Sequence, residues 1–318
     1  MQKRFTKIPL PQAVIFYCQQ YNIRNIVISA GSRNAPLTNG FVENPFFKTY
    51  SIVDERAAGF FALGLAQQLK KPVVIVCTSG SALLNYYPAV AEAYYSEIPI
   101  VIISADRMPH RIGIGDGQTI KQEGVFGPHL MTSAKLLADV SHATNTLLKS
   151  NKQTYFKKQP SVAEVQQLQD VHQNHNIIEL QRVFRLVLEK NGPIHLNVPM
   201  EEPLYEMSEE PISFPIPTQR KNKFVKIINT QLIESIWKNA KRKMILLGVS
   251  SPDNELSKVL TKLISDPSVL ILTEKTSNFS HPHAINSIDC LMAPLELDRE
   301  KESHLRPDLL ITIGGMII

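Results

Sequence analysis

Between residues 20 and 110 the chain repeats one grammar: a short β-type run, a polar loop, then a stretch with helical spacing. The β-type runs cover residues 26–29, 48–53, 73–77 and 100–104. Those at 26–29, 73–77 and 100–104 are almost continuously apolar rather than alternating. A strand has that character when helices cover both faces of its sheet. Between the runs lie the helical segments. Leu10, Ala13, Val14, Tyr17, Cys18 and Tyr21 recur at helical spacing, and Pro36 is placed to open a second helix. Residues 56–68, rich in Ala and Gly, and 82–95 read as two more. The order predicts an α/β fold with mainly parallel sheets covered by helices.

The grammar loosens and then restarts. Residues 141–175 are rich in Asn, Gln, Lys and His and read as an exposed helix with a mobile connection. An amphipathic helix is expected at 177–189 and a closing strand at 192–199. Pro203, Pro211, Pro215 and Pro217 then fall in a stretch with almost no periodicity, which reads as a linker. Beyond it, helices are expected near 231–241 and 254–264, with strands at 244–248, 269–273 and 309–313. The expected organisation is an N-terminal domain over 1–205, a Pro-rich linker over 206–224 and a second, central α/β domain over 225–318. The last five residues, Gly314-Gly315-Met316-Ile317-Ile318, stand where a βα unit would turn into its next helix. A chain truncated within or just after that domain is expected.

Composition narrows the function classes. With 43% hydrophobic and 20% charged residues, 318 residues can bury a sizeable core, which excludes a disordered chain. No run approaches the ~18 apolar residues of a membrane span. Pro9 and Pro11 interrupt any signal-like segment after the basic start, so a cytoplasmic protein is expected. The net charge of +5, from 34 basic and 29 acidic residues, is concentrated in 149–158 and 220–243. Charge runs of this kind read as solvated surface or linker rather than as a nucleic-acid footprint. Cys18, Cys77 and Cys290 are far apart and odd in number, the pattern of reduced thiols rather than of a disulfide framework.

Four loops follow successive β runs, at the carboxyl ends of strands where open α/β sheets place their ligands. They contain Gly31-Ser32-Arg33-Asn34, Asp54-Glu55-Arg56, Thr78-Ser79-Gly80-Ser81 and Asp106-Arg107. Common motifs do not explain them. There is no phosphate-binding G-x-x-x-x-G-K-[ST], and Gly113-Ile114-Gly115-Asp116-Gly117-Gln118 ends in Gln where a dinucleotide fingerprint needs Gly. Ser79-Gly80-Ser81 lacks the frame of a nucleophile elbow. His281 and His283 have no third candidate ligand and read as surface histidines. Glu55 stands between an apolar run and the small residues Ala57-Ala58-Gly59. Close-packed surroundings with little water would disfavour its charged form and let it share or shuttle a proton. A carboxylate serving the helix N-terminus is the alternative. Arg33 and Arg107 offer planar forks for carboxylates, with Ser32 beside the first, or else pair structurally, as Arg107 with Asp106 or Arg56 with Asp54.

Taken together, these loops resemble one family. Ile28-Ser29-Ala30-Gly31-Ser32-Arg33-Asn34-Ala35-Pro36-Leu37, Asp54-Glu55-Arg56-Ala57-Ala58-Gly59-Phe60-Phe61, Val76-Cys77-Thr78-Ser79-Gly80-Ser81-Ala82, Ser104-Ala105-Asp106-Arg107 and Gly117-Gln118-Thr119-Ile120 occur in order. They resemble the thiamine-diphosphate-dependent 2-succinyl-5-enolpyruvyl-6-hydroxy-3-cyclohexene-1-carboxylate synthases of menaquinone biosynthesis, specifically over 26–130 and 192–203. The resemblance implies a carboligase that decarboxylates 2-oxoglutarate and adds the succinyl unit to isochorismate. It implies that Glu55 hydrogen-bonds the aminopyrimidine ring of the cofactor and that Thr78, Ser79 and Gly80 lie near that ring. Ser32, Arg33, Arg107 and Gln118 match groups around isochorismate. The first domain then corresponds to a pyrimidine-binding domain and the second to a Rossmann-like central domain. Gly117 departs from the asparagine common there, which removes a polar side chain from the substrate loop.

Mg2+ and the diphosphate are expected on a further C-terminal domain, since no G-D-G…N-N motif occurs in these residues, and this piece alone is expected to be inactive. A homodimer or homotetramer with sites between subunits is implied, without nucleic acid or a membrane span. Two rivals remain: a non-catalytic carboxylate-metabolite-binding protein, and a sibling thiamine-diphosphate decarboxylase, which the Ser32-Arg33 and Asp106-Arg107 pairs disfavour.

Overall fold

Side chains of a strand point alternately to the two faces of its sheet, so a strand apolar on every residue needs cover on both sides. The structure, a computed structural model, describes residues 4–149, 155–156, 158–217, 229–294 and 299–316. It forms two compact units, Met1–Gln219 and Arg220–Ile318, and meets that need in the first.

The first unit contains β1 (Phe5–Thr6), β2 (Asn25–Ile28), β3 (Lys48–Ser51), β4 (Val73–Cys77), β5 (Ile100–Asp106), β6 (Thr132–Ala134), β7 (Ile194–Pro199) and β8 (Met207–Ser208). Its helices are α1 (Pro9–Gln20), α2 (Ala35–Val42), α3 (Glu55–Leu69), α4 (Ser81–Asn85), α5 (Tyr87–Tyr95), α6 (Thr144–Lys149) and α7 (Val162–Glu189). Six strands form one sheet in the order β3-β2-β4-β5-β7-β6, and every neighbouring pair is parallel. Alternate residues of the central strands divide between two cores. Ile26, Ile28, Val74, Val76, Val101 and Ile103 pack with α1, α2 and α7. Val27, Val73, Ile75, Ile100 and Ile102 pack with Ala58, Ala62 and Ala66 of α3 and with Leu83, Tyr86 and Val90. The small residues of α3 allow close approach: a Cβ on Gly59 would stand 3.0 Å from that of Ala89 on α5.

Three expectations are corrected. The helix expected over 82–95 is two helices, α4 and α5, meeting at Tyr86 just before Pro88. The proline has no N–H to continue an unbroken ladder. The polar stretch before residue 177 is not simply an exposed helix with a connection. From Val162 onward it is the first half of α7, started by a capping box between Ser161 and Glu164. Its Gln169, His172 and Asn176 are buried, because they bond the backbone of Val140, Ala138 and Leu137. Residues 150–154 and 157 lie outside the described residues.

The stretch expected as a linker, as far as residue 217, packs on the first unit. There β8 pairs with β1, Phe214 enters the core, and the Tyr17 hydroxyl donates to the Pro215 carbonyl. Prolines hide the helical and strand periods without preventing burial. Residues 218–228, which include the end of that stretch and the start of the second basic run, lie outside the described residues.

The second unit contains α8 (Thr230–Asn239), β9 (Lys243–Leu247), α9 (Asn254–Leu263), β10 (Val269–Thr273), α10 (Ile288–Met292), α11 (Arg299–Leu305) and β11 (Leu309–Ile313). Its strands make a parallel sheet in the order β10-β9-β11. Ile245, Leu247 and Ile271 meet Leu260 and Ile264 in its core. No helix of the structure, among the described residues, is long and apolar enough to cross a membrane.

Candidate active site

Parallel strands bring their carboxyl ends to one edge, and the four loops singled out in the sequence gather there because β2, β3, β4 and β5 are neighbours in one sheet. After β2, Asn34 is fully buried and locks the turn. Its Oδ1 accepts the Gly31 N–H at 2.8 Å and its Nδ2 donates to the Ser29 carbonyl at 2.9 Å. Gly31 is needed at that point, since a Cβ there would stand 2.6 Å from the Thr78 Cβ. Ser32 stays exposed, while Arg33 turns inward and is 6% exposed. Arg33 donates to the Met200 carbonyl at 3.2 Å and to Glu202 Oε1 at 3.0 Å. Burial, and after it the Arg107 charge, press this guanidinium below the ordinary arginine range, against the pull of Glu202 and Glu201.

At the start of α3 the two acids separate in role. Asp54 caps the helix, its Oδ1 accepting the Ala57 N–H at 2.7 Å. Glu55 makes no hydrogen bond or ion pair among the described residues and is partly exposed. Its charge nevertheless reaches into the sheet. Burial first, with Glu55 adding, raises the Cys77 thiol well above its usual range, and Glu55 also contributes to the rise at the Tyr86 phenol. The dry, close-packed setting expected for Glu55 is not provided by this chain alone. Val53, Phe60 and Phe61, on the same loop and helix, are left exposed instead.

After β4, Thr78 faces Gly31, and Ser79 is buried. Gly80 has φ +88°, and a Cβ on it would stand 2.7 Å from the Gln118 carbonyl oxygen, so only glycine fits. Arg107, just past β5, joins this turn to the loop that carries Asp116 and Gln118. Its Nη1 donates to Ser79 Oγ at 2.7 Å and to the Gln118 carbonyl at 3.3 Å, and its Nε lies 3.3 Å from Asp116. The structural pairings weighed for the arginines are therefore replaced. Asp106 accepts the Arg107 backbone N–H, while the Arg107 side chain pairs with Asp116 and Ser79. Gln118 contributes its carbonyl, and its side chain is exposed.

Beneath these residues lies a buried polar layer. His195 is held neutral, its imidazole pushed down to about 3 by burial, and its Nε2 is 2.7 Å from Ser104 Oγ. Asn197 accepts from Ser104 and Gln122 and donates to Asp106. Burial raises the Asp106 carboxyl despite the hydrogen bonds from Asn197 and Arg107. At the rim, Arg111 grips Glu201 with two bonds, at 3.0 and 3.1 Å.

All eight residues singled out in the sequence lie on this edge, and Arg33, Thr78, Ser79, Gly80, Arg107 and Gln118 are joined by contacts or charge. Glu55 is tied to them through the end of β4, and Ser32 by its position on the mouth. Asn34, Asp116, Gln122, Asn197, Glu201 and Glu202 escaped sequence reasoning. For Gln122 and Glu202 the partners stand far off in sequence: Gly80 bonds Gln122, 42 positions away, and Arg33 bonds Glu202, 169 positions away. Only Asn34 had a local signal, as a polar residue just before the proline that opens α2. Chemically, the edge offers an open carboxylate at Glu55, a turn with no room for side chains and two largely buried guanidinium groups. That set can hold a proton on a ring nitrogen and bind an anion with more than one carboxylate. Among the described residues no group of three or more His, Cys, Asp or Glu could hold a metal ion.

Residues 10–125 match the family described as thiamine pyrophosphate enzyme, N-terminal TPP binding domain. The 2-succinyl-5-enolpyruvyl-6-hydroxy-3-cyclohexene-1-carboxylate synthase of Christiangramia forsetii is 45% identical over 99% of this chain and 53% of its own length. Its namesake from Flavobacterium johnsoniae is 46% identical over 99% of this chain and 51% of its own length. The synthase of Desulfotalea psychrophila is 36% identical over 95% of this chain. The chain spans about half the length of the curated relatives it matches.

Proposed function

We propose that the chain is the N-terminal half of a 2-succinyl-5-enolpyruvyl-6-hydroxy-3-cyclohexene-1-carboxylate synthase, a reading supported by the match of residues 10–125 to the thiamine pyrophosphate enzyme N-terminal domain and by the similarity to those synthases. The complete enzyme decarboxylates 2-oxoglutarate and transfers the succinyl unit to isochorismate in the cytoplasm. Thiamine diphosphate, when bound, supplies the electron sink for the decarboxylated carbon. The residues of this chain do the remaining work at one end of the cofactor. Glu55 shares a proton with the aminopyrimidine ring. Thr78, Ser79 and Gly80 lie along that ring, and the absence of a Cβ on Gly80 lets the Gln118 carbonyl close over the turn. Ser32, Arg33, Arg107 and Gln118 hold the carboxylates of isochorismate. A guanidinium has five donors, so both arginines keep capacity beyond their present partners.

The observation that carries this reading is the division of labour at α3: Asp54 takes the cap, which leaves the Glu55 carboxylate open on the edge where Arg33 and Arg107 meet. We place Mg2+ and the diphosphate on residues outside this chain. We also place a second subunit of a homodimer or homotetramer over α3, which would dry Glu55 and cover Phe60 and Phe61. The test is a paired assay of the complete enzyme with thiamine diphosphate and Mg2+. CO2 release from 2-oxoglutarate is measured first without and then with isochorismate. Release in the first assay and ligated product in the second are expected; no release in either would sink the assignment.

A further inference from the structure

The loop from Met108 to Phe126 carries Asp116 and Gln118 over the site; Arg111 ties its start to Glu201, but past that point it is mostly exposed or half-buried. Among the described residues, Gln122 is the single buried residue between those two ends. A buried anchor is ordinarily apolar; this one is an amide with every hydrogen bond directed at the sheet edge. Its Oε1 accepts the Gly80 N–H at 2.7 Å. Its Nε2 donates to the Ala105 carbonyl at 3.1 Å and to Asn197 Oδ1 at 2.7 Å. One side chain thus ties the loop to the turn after β4, the end of β5 and the body of β7.

We propose that Gln122 is a positioning residue, which fixes the Gln118 carbonyl over Gly80 and so sets the spacing between the cofactor turn and the substrate loop. The inference rests on the functional reading above for what those two parts bind. The Gly80 turn has other supports, since the Leu83 N–H donates to the Gly80 carbonyl and Ser79 accepts from Arg107. Ser79 and Gly80 are also buried, whereas no residue of the stretch 113–121 is; that stretch is held by Asp116 near Arg107 and Arg111 and by the Gln118 carbonyl on Arg107. Loss of the amide should therefore release the loop more than the turn. Buried polar groups stripped of their partner also lose protection, which makes the Gly80 N–H a direct reporter.

The test is Gln122→Met, close in shape and unable to make these bonds, in the complete enzyme. Three readings are taken: KM for isochorismate, CO2 release without isochorismate, and amide hydrogen exchange by mass spectrometry. The expected result is a KM at least 10-fold higher, CO2 release reduced less than threefold, and exchange at Gly80 faster by roughly 10-fold. Protection of β4 and β5 should be unchanged. Should the methionine variant not fold, Gln122→Glu keeps the acceptor for Gly80 but sets a carboxylate oxygen against two acceptors, and the same split is expected. Equal losses in both activities, or an unaltered KM, would overturn the proposal. A wild-type enzyme that releases no CO2 would instead remove the functional reading, while the exchange rate at Gly80 would still report separately on the clamp.

Discussion

Asp54 and Glu55 are adjacent carboxylates with different environments, and the difference is testable by replacing one atom. In Glu55→Gln the amide keeps the shape of the side chain but cannot take up a proton. Turnover of the complete enzyme should fall at least ~100-fold, the usual worth of a positioned acid–base group, with fold and assembly intact. Steady-state rates at saturating cofactor check this, and near-normal turnover would return Glu55 to a helix-end role. In the proposed function Arg33 and Arg107 serve a different step. Replacing either with Ala should cost roughly 1.5–3 kcal/mol of charge-assisted bonding, about 10- to 150-fold in kcat/KM for isochorismate. CO2 release without isochorismate should fall far less, and Lys should rescue only in part, lacking the planar fork. Equal losses in the two assays would assign both arginines to the fold or the cofactor side. These residues were legible because each sits in a loop directly after a β run, where local order suffices. Glu202 and Gln122 were not, since a pairing across 169 or 42 positions leaves no mark on its neighbours.

At the scale of elements, the continuous runs 73–77 and 100–104 announced buried parallel strands, and β4 and β5 follow them closely. Polar sequence misled in the other direction. Asn176 gives and accepts hydrogen bonds with the two backbone groups of Leu137, as a neighbouring strand would, so burial there depends on amides and leaves no apolar stripe. β7 contains the same device in sharper form at His195, whose ring lies edge-on to Phe126 and beside Ser104. Burial lowers this imidazole from 6.5 to about 3 in the folded chain. A depressed folded value stabilises the protein fully above the unfolded value and is lost as pH falls below it, because the unfolded state then takes up the proton. Between pH 7 and 5 wild type should therefore lose about 2 kcal/mol more unfolding free energy than His195→Gln, at roughly 1.4 kcal/mol per pH unit below 6.5. Urea titrations of both proteins at the two pH values decide it. Parallel losses would mean that the imidazole is charged, or reached by water, in the folded state.

For the molecule as a whole, each of the two units has its own core, and the site residues proposed here all belong to the first. That distribution bears on the cofactor. Thiamine diphosphate carries its charge at one end and its aminopyrimidine at the other, and a diphosphate is held by metal, helix N-termini or clustered donors. The first unit offers the pyrimidine end Glu55 and the Thr78–Gly80 turn, which amounts to few contacts and one open carboxylate. A carboxylate repels the diphosphate rather than holding it, and no metal-binding cluster lies among the described residues. The 318-residue chain, prepared as it stands, should therefore show no micromolar affinity for thiamine diphosphate with Mg2+, and no carboligation. Isothermal titration of the chain against the cofactor, with and without Mg2+, makes the measurement. Heat consistent with micromolar or tighter binding would put a diphosphate site within these residues, and Glu55 would then have to be reconsidered as a neighbour of the charged end. Flat titrations, together with binding by the complete enzyme, would place the charged end outside this chain, as proposed.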